Sequence, residues 1–496
     1  MLSIKKPESY TDVVLFLNNI ETQFPVHIFT VNGIDFWPLI RVQFGYQLHL
    51  SFQLNEVTPT QSAFNNSPFF FGRIVSKGIK LVNYMINSFQ KKGTQGVKIA
   101  GFGFNSHRIK LSGFNTVNPF IEPVLVCFKK MGFTVLYWES DIDYKNTRIP
   151  LVPINSPNHN NAGPVVFSEE IVDLFVLHLN ELKQFLELKT PDLMTVFAKT
   201  NFVNQIKLVV SSANEYFQLL SIDRPGLVLM YNYYNAKFMG LSLASHELGI
   251  PTMDIQHSAI SNQHFAYGPW TSLSENGSAL LPDLFWVWRK SDFEIISNGF
   301  TRFSPRYKAF HGGNQWISFW KSRVSTPKSS FLFKKTLSQK LNLLVCLQGI
   351  GIPDFLIEFI AKYPGEYKWF FRFHPRYPGD KSIIHNLQGK GIDFETEFAN
   401  SESLYSIFPS MDYTLTFTSG TAIESAEFGV PVIILGNNGF KVYNKEIKSG
   451  KFLFANSIED ITGIFKNRLK PEPLNNSMIV SNEDTRKLIS KLMVQI

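Results

Sequence analysis

Cysteine is nearly absent from this 496-residue chain: there are two, Cys127 and Cys346, each inside an apolar run, PVLVCF and LLVCLQ. That excludes a disulfide framework and a four-cysteine zinc site, and it suits a reduced, cytoplasmic setting. No run of about 18 apolar residues occurs, so no transmembrane helix is expected. Behind the lysines of MLSIKKPESYTD there is no apolar stretch, so no secretory signal is expected. Dense Lys/Arg blocks, zinc-type Cys/His spacing and RNA-recognition aromatic motifs are also missing, which places nucleic acid last among possible partners. The D-x-D of the chain, Asp141-Ile142-Asp143, is read as a candidate base rather than as a divalent-cation site, so no metal and no cofactor are expected.

Charge and aromatics are what the chain has in quantity. Its net charge of +8 points to an anionic partner, either a phosphorylated substrate or an acidic membrane surface. Phenylalanine occurs 47 times and aromatics make up 15% of the residues. Such rings fill cores first and line sugar-binding clefts second.

The stretch Trp369 to Gly436 organises the rest. WFFRFHPRYPGD reads as a strand ending in His374-Pro375-Arg376. A second strand, Tyr413 to Thr418, leads into Ser419-Gly420-Thr421, which open a helix, and a wholly apolar strand, Val430 to Leu435, follows. Apolar strands alternating with helices predict a parallel sheet covered on both faces, with ligands beyond the carboxyl ends of the strands. The helix opening near Gly420 is expected to offer backbone N–H groups, its dipole and two hydroxyls to a phosphate, with Arg372, His374 and Arg376 adding charge. Capping by Ser419 and Thr421 uses the same N–H groups and is the alternative reading.

SGTAIESAEFGVPVIILG resembles the donor-binding segment of the GT-B glycosyltransferases, in which a small-residue turn opens a helix that ends at G-x-P before a strand. The family's glutamate, five residues before that glycine, grips the ribose hydroxyls; here it is Glu424, ahead of Gly429. The His374-Pro375 pair followed by a hydroxyl pair also resembles the HP and SS motifs of bacterial sialyltransferases and capsule transferases, which contact the nucleotide phosphate. Ser419 and Thr421 are split by Gly420 where that family has adjacent serines. The resemblance covers the last third of the chain well and the middle third loosely. It implies an α/β fold of two Rossmann-like domains facing each other, with an extra, mostly helical N-terminal region.

Along the chain, residues 1–95 form that N-terminal region and 96–310 a first Rossmann-like, acceptor-binding domain. Residues 311–338 connect it to a donor domain at 339–470, and a helical tail closes the chain at 471–496. Ser9 to Phe24 and the segment from Trp37, containing Arg41, read as helices that dock structurally. Residues 67–92 mix apolar and basic residues at helical spacing: an interfacial helix on an anionic membrane, or a core-facing helix with a solvated basic side. LNLLVCL followed by Gln348-Gly349-Ile350-Gly351 is a strand-to-turn signal that adds Gly349 to the donor site.

A sugar transfer that inverts the anomeric carbon needs a general base on the acceptor hydroxyl. His257, in DIQHSAI, is the first candidate; related capsule enzymes carry Q-H-G where Ser258 stands here. Asp254 is a second candidate, either as base or as the residue that orients His257. Asp141, with Asp143, is a third, at the end of the strand FTVLYWES. Asn105, His107 and Arg108 stand at the first strand-to-helix turn, where a phosphate is a further possibility. The reading as a whole is a metal-independent glycosyltransferase, cytoplasmic or peripheral on the inner membrane face. Its partners would be a nucleotide-sugar and a lipid-linked saccharide. A CDP-alditol phosphotransferase, a nucleotide-sugar 2-epimerase and a non-catalytic scaffold of the same fold are the alternatives.

Overall fold

A computed structural model describes residues 5–9, 12–55, 96–110, 116–140, 166–168, 170–274, 277–324, 340–349, 351–374, 387, 391–474 and 477–495. The segment 67–92, Asp141, Asp143 and Arg376 lie outside these residues. The described residues divide into two compact units, the first comprising those up to 55, those within 96–315 and those within 480–495, the second those within 316–479.

In the first unit six strands form one parallel sheet: β1 (Lys98–Phe104), β2 (Thr134–Ser140), β3 (Leu227–Met230), β4 (Thr252–Ile255), β5 (Leu284–Val287) and β6 (Lys308–His311). Their order across the sheet is β6-β5-β4-β3-β1-β2. The chain goes outward from β1 to β2, then returns to the other side of β1 and continues through β3. The order therefore reverses between β1 and β3, and the crevice at their carboxyl ends is where a doubly wound sheet accepts a ligand. β3 and β5 are wholly apolar, and β4 is buried along its length although it carries Thr252 and Asp254, as a sheet covered on both faces requires. The connection expected at 311–338 begins at the last residue of the edge strand β6, and its described part includes a helix, Gln315–Val324.

The second unit repeats the scheme with β7 (Leu341–Cys346), β8 (Tyr367–Arg372), β9 (Phe394–Glu395), β10 (Tyr413–Thr416), β11 (Val432–Leu435) and β12 (Leu453–Ala455). All pairs are parallel, in the order β9-β8-β7-β10-β11-β12. Here the reversal falls between β7 and β10. Alternate residues of β7 separate onto two cores: Leu343 and Val345 pack with Trp369, Phe371 and Leu415, while Leu344 and Cys346 pack with Phe370, Ile407 and Val430. The fold is thus α/β, with two Rossmann-type units. The last helix, Asn482–Gln495, belongs to the first unit, where Gln315 bonds Thr485 at 3.3 Å.

The N-terminal helices Val13–Gln23 and Trp37–Asn55 are part of the first unit and are fixed to it by a buried ion pair. Glu21 and Arg41 meet at 2.7 Å with both side chains fully buried. The Glu21 carboxylate also accepts from Trp37 Nε1 at 2.8 Å and from the backbone N–H groups of Thr271 and Ser272 at 2.7 and 3.1 Å. Arg41 donates to Asn18 and to the Pro269 carbonyl, and its guanidinium lies 4.5 Å over the Trp270 ring. Buried charge survives only when every partner is present. Among the described residues no helix is long and apolar enough to cross a membrane.

Removing one partner strands the other. Glu21→Ala is expected to destabilise the chain by about 3–5 kcal/mol, read as a lower urea midpoint. Leu15→Ala, at an exposed position of the same helix, is expected to change the midpoint little. Equal effects would show that the pair does not hold the N-terminal helices.

Candidate functional site

At the carboxyl edge of the first sheet, the residues after β3 turn sharply. Asn232 adopts a left-handed conformation at φ 61°, uncommon for a residue with a side chain. The turn distributes three tyrosines to three tasks. Tyr231 accepts at its hydroxyl oxygen from the Phe104 N–H (2.9 Å) and from Asn118 Nδ2 (2.7 Å). With both acceptor positions filled, the phenol's own hydrogen goes to His107 Nδ1, 3.2 Å away. That count gives His107 the tautomer with its hydrogen on Nε2. Tyr234, two positions beyond Asn232, places its hydroxyl 3.2 Å from His257 Nε2. Phe120 stands edge-on to both imidazoles, at 5.9 and 5.8 Å, and Tyr231 contacts both rings at 5.5 and 5.9 Å.

Asp254, by contrast, is turned into the core. Its carboxylate accepts from the Tyr267 hydroxyl at 2.7 Å and from the Tyr233 N–H at 3.1 Å. Burial pushes the carboxyl up to about 7 against the opposing pull of those two donors. This is an anchor for the turn after β3, and its contacts run to Tyr233 and Tyr267, whereas His257 contacts Tyr234, Tyr231 and Phe120. Gln256 holds the loop before His257 by donating to the Ser258 carbonyl and to Asp292 while accepting from the Trp288 N–H.

Arg108 is likewise bound inward. It pairs with Glu139 at 2.7 Å and Glu122 at 3.1 Å, and donates to Thr116. With two carboxylates on one guanidinium, it brings no excess positive charge to this edge. Gly103 makes room for the network: a Cβ there would stand 2.7 Å from the Tyr137 hydroxyl and 3.0 Å from Asn118 Nδ2. The roles of Tyr231, Tyr234, Phe120 and Asn118 were not read from sequence; the run YNYYN directly after an apolar strand is the signal that marks them.

In the second unit the reversal between β7 and β10 is bridged by a two-way amide contact. Gln348 donates to Thr418 Oγ1 at 3.2 Å and accepts from the Thr418 N–H at 2.9 Å. Beside it Gly349, at φ +79°, holds a conformation suited to glycine. Ser419, Gly420 and Thr421 then open the helix Thr421–Glu427. From Thr421 onward the N–H groups are bonded locally, as the capping alternative expects. Ser419 Oγ accepts from the Thr421 N–H, the Ser419 carbonyl from Ala422, and the Gly420 carbonyl from Ile423 and Glu424. What this turn presents is its hydroxyls, with Ser419 Oγ donating to Thr421 Oγ1 at 3.0 Å and Tyr443 donating to the Ser419 carbonyl at 2.6 Å.

Glu424 and Arg372 come together on one face of the same sheet. Arg372 ends β8 and donates Nη1 to the carbonyls of Ala399 and Glu402, at 2.7 and 2.9 Å. Burial lowers its pKa, while Cys346, Tyr405 and Glu424 act the other way. Glu424 accepts from the Tyr405 hydroxyl at 3.1 Å. Burial pushes its carboxyl up to about 7, opposed by the Tyr405 bond and by Arg372. Half-buried His374 follows two residues after Arg372, where Asn400 fixes the chain by accepting from the Phe373 N–H and donating to the Phe371 carbonyl. Of the expected donor residues, Gly349, Arg372, His374, Ser419, Gly420, Thr421 and Glu424 therefore all stand at or next to the carboxyl ends of β7, β8 and β10. Among the described residues no group of three or more His, Cys, Asp or Glu side chains is placed to hold a metal ion.

No family model matches the chain, and no curated protein matches it. Solved structures similar to it include the UDP-GlcNAc 2-epimerase from Neisseria meningitidis bound to UDP-GlcNAc, at 15% identity over 80% of this chain and 100% of that one, with a TM-score of 0.48. The UDP-GlcNAc 2-epimerase from Methanocaldococcus jannaschii is 12% identical over 80% and 99%, with a TM-score of 0.48. MurG from Acinetobacter baumannii is 10% identical over 81% and 100%, with a TM-score of 0.40.

The Asp254 carboxyl makes a signed prediction. Its folded pKa lies above its ordinary 3.8, so the native chain binds that proton more tightly than the unfolded chain. The contribution is complete below about pH 4 and is lost as pH rises through about 7. Asp254→Asn is expected to remove this slope: measured by urea unfolding, the stability of wild type relative to Asp254→Asn should fall across that window. A difference that stays flat would mean Asp254 is not buried as a neutral acid.

Proposed function

We propose that the chain is a GT-B glycosyltransferase that moves a sugar from a nucleotide-sugar donor onto a saccharide acceptor during assembly of a surface polysaccharide such as capsule, O-antigen or lipopolysaccharide. The observation that supports this most is the reversal point of the second sheet. A glycine turn, a two-hydroxyl turn, His374 and a carboxyl partnered by a tyrosine converge there, at the place where such sheets hold nucleotides. In this reading the hydroxyls of Ser419 and Thr421, together with His374, receive the nucleotide phosphate, and Glu424 receives the ribose. Arg376, Gly349 and Arg372 complete the proposed donor set.

Transfer breaks the bond from the anomeric carbon to the donor phosphate oxygen and forms one to an acceptor oxygen. The acceptor's hydroxyl proton goes to a base, and the nucleotide leaves with the electron pair of the broken bond. His257 is our choice of base, since its imidazole suits proton transfer near neutral pH and it stands at the carboxyl edge of the first sheet. Asp254, anchoring the turn after β3, serves as a support for that edge, and Asp141 is the remaining candidate. The proposed chemistry uses no metal and no cofactor. A lipid-linked acceptor and a peripheral place on the cytoplasmic membrane face are supported by the basic amphipathic segment 67–92.

Thermal unfolding with CMP, CDP, UDP and GDP, each well above its dissociation constant, tests the donor site. One of them is expected to stabilise wild type by roughly 2–4 kcal/mol at 100- to 1,000-fold excess over Kd. His374→Ala and the double change Ser419→Ala, Thr421→Val are expected to lose most of that shift. Release of free nucleotide from the matching nucleotide-sugar should then require an acceptor. Release without one would favour the 2-epimerase, turnover of a CDP-alditol the phosphotransferase, and no shift with any nucleotide the scaffold.

A further inference from the structure

Tyr405 is half-buried, and four aromatic rings pack against it beside Glu424. Its ring lies nearly parallel to Trp320 (centroids 6.0 Å apart, 26° between planes) and is met edge-on by Trp316 at 6.2 Å. Phe408 and Phe428 contact it at 6.2 and 5.7 Å. The two tryptophans come from one helix, Gln315–Val324, whose Lys321 also donates to the Glu427 carbonyl at the far end of the helix that carries Glu424. Four rings thus pack against the phenol, and from that packed position its hydroxyl meets Glu424 Oε1.

We infer that Tyr405 is a positioning residue. It locks the Glu424 carboxylate through Oε1 and so directs its other oxygen at the 2′,3′-diol of a ribonucleotide, making the site select ribose over deoxyribose. The inference builds on the nucleotide reading above and adds to it the residue that sets sugar selectivity. Three features support it. The bond is single-sided, from Tyr405 to Oε1, at 3.1 Å. Arg372 gives its Nη1 to the Ala399 and Glu402 carbonyls and acts on the carboxylate electrostatically, while Tyr405 hydrogen-bonds it. Among the described residues, the ionisable groups that act on Glu424 are Tyr405 and Arg372, and Glu424 in turn acts on the Cys346 thiol, which burial pushes up to about 12. None of these three is an anion near neutral pH, and none competes with a diol for the carboxylate.

The titration of Glu424 provides a readout that a packing role alone would not move. An ionised carboxylate accepts from both hydroxyls of a diol, whereas a protonated one loses an acceptor. Ribose preference should therefore rise with pH through about 7, where the carboxyl ionises. Because the Tyr405 hydroxyl favours the ionised form, Tyr405→Phe should move that midpoint upward.

Calorimetry with UDP, CDP and GDP and with their 2′-deoxy counterparts, at pH values on both sides of the midpoint, decides the matter. Wild type is expected to bind the ribose form tenfold or more tightly above the midpoint, a ratio typical of one hydrogen bond to a charged group (roughly 10- to 100-fold). Tyr405→Phe should shrink the ratio and shift its pH dependence to higher pH. Glu424→Gln should abolish the pH dependence while still binding the phosphates. A ratio and midpoint unchanged in Tyr405→Phe would overturn the positioning role, as would a pH dependence that persists in Glu424→Gln. If nucleotides bind with no ribose preference, this inference fails and the nucleotide reading stands; if no nucleotide binds, both fall. Trp320→Phe, which keeps a ring against Tyr405, should shift the ratio less than Tyr405→Phe and separates loss of orientation from loss of fold.

Discussion

The first unit depends on a charge that has no access to water. Glu21 and Arg41 are buried together, and the loop at 269–272 supplies their remaining partners through the Pro269 carbonyl, the Trp270 ring and the N–H groups of Thr271 and Ser272. The next residues back along that loop reach the sheet edge. Tyr267 bonds Asp254, the Ala266 carbonyl accepts from both the Tyr233 hydroxyl and Trp270 Nε1, and Asp254 holds the Tyr233 N–H. A contiguous set of bonds thus runs from the N-terminal helices to the turn after β3. Two buried carboxylates of different kinds sit along it. Glu21 is balanced by a guanidinium, while Asp254 has only neutral donors and is pushed up to about 7 instead. Both are solutions to the same cost of placing a carboxyl in an apolar interior.

Each sheet edge is held by hydrogen bonds among its own residues. In the first unit the Tyr231 oxygen accepts twice and so must donate to His107. In the second, Thr418 and Gln348 exchange two bonds across the strand reversal, and Ser419 caps its own helix. Such closure keeps polar groups in one arrangement without a ligand. The side chains beside these closed pairs, His257 in one unit and Glu424 with the Thr421 hydroxyl in the other, are thereby presented in defined positions.

Much of this architecture is legible in the chain. VKIAGFGF, LNLLVCL and PVIILG are too continuously apolar to be anything but strands covered on both faces, and the helices between them force a parallel sheet. Glycine after β7 and the Ser-Gly-Thr turn after β10 could be placed at strand ends from spacing alone. What sequence does not show is how these residues bond. Asp254 and Arg108 look like site residues because they are charged and stand near strand ends, yet their partners lie between 8 and 31 positions away. Tyr405 in SESLYSIF has no pattern to mark it, because its neighbours come from a helix some 85 residues earlier and only the fold brings them together. The edge strands Lys308–His311 and Phe394–Glu395 are short and half exposed, so the apolar signal that reveals a buried strand is weak in them.

The basic character of the chain also takes on a different meaning once the bonding is known. A net charge of +8 suggests anion binding by excess cations, but Arg41, Arg108 and Arg289 are each paired with buried carboxylates and serve the interior. Arg372 is enclosed by backbone carbonyls and lies near Glu424. In the proposed donor site, the described side chains that would meet an anion are the hydroxyls of Ser419 and Thr421 and the imidazole of His374, which offer directed hydrogen bonds. Directed bonds of this kind distinguish one ligand geometry from another, whereas long-range attraction mainly speeds encounter. The same logic applies to Glu424, because a carboxyl held near neutrality by burial and oriented by one phenol discriminates hydroxyl positions better than a fully solvated one.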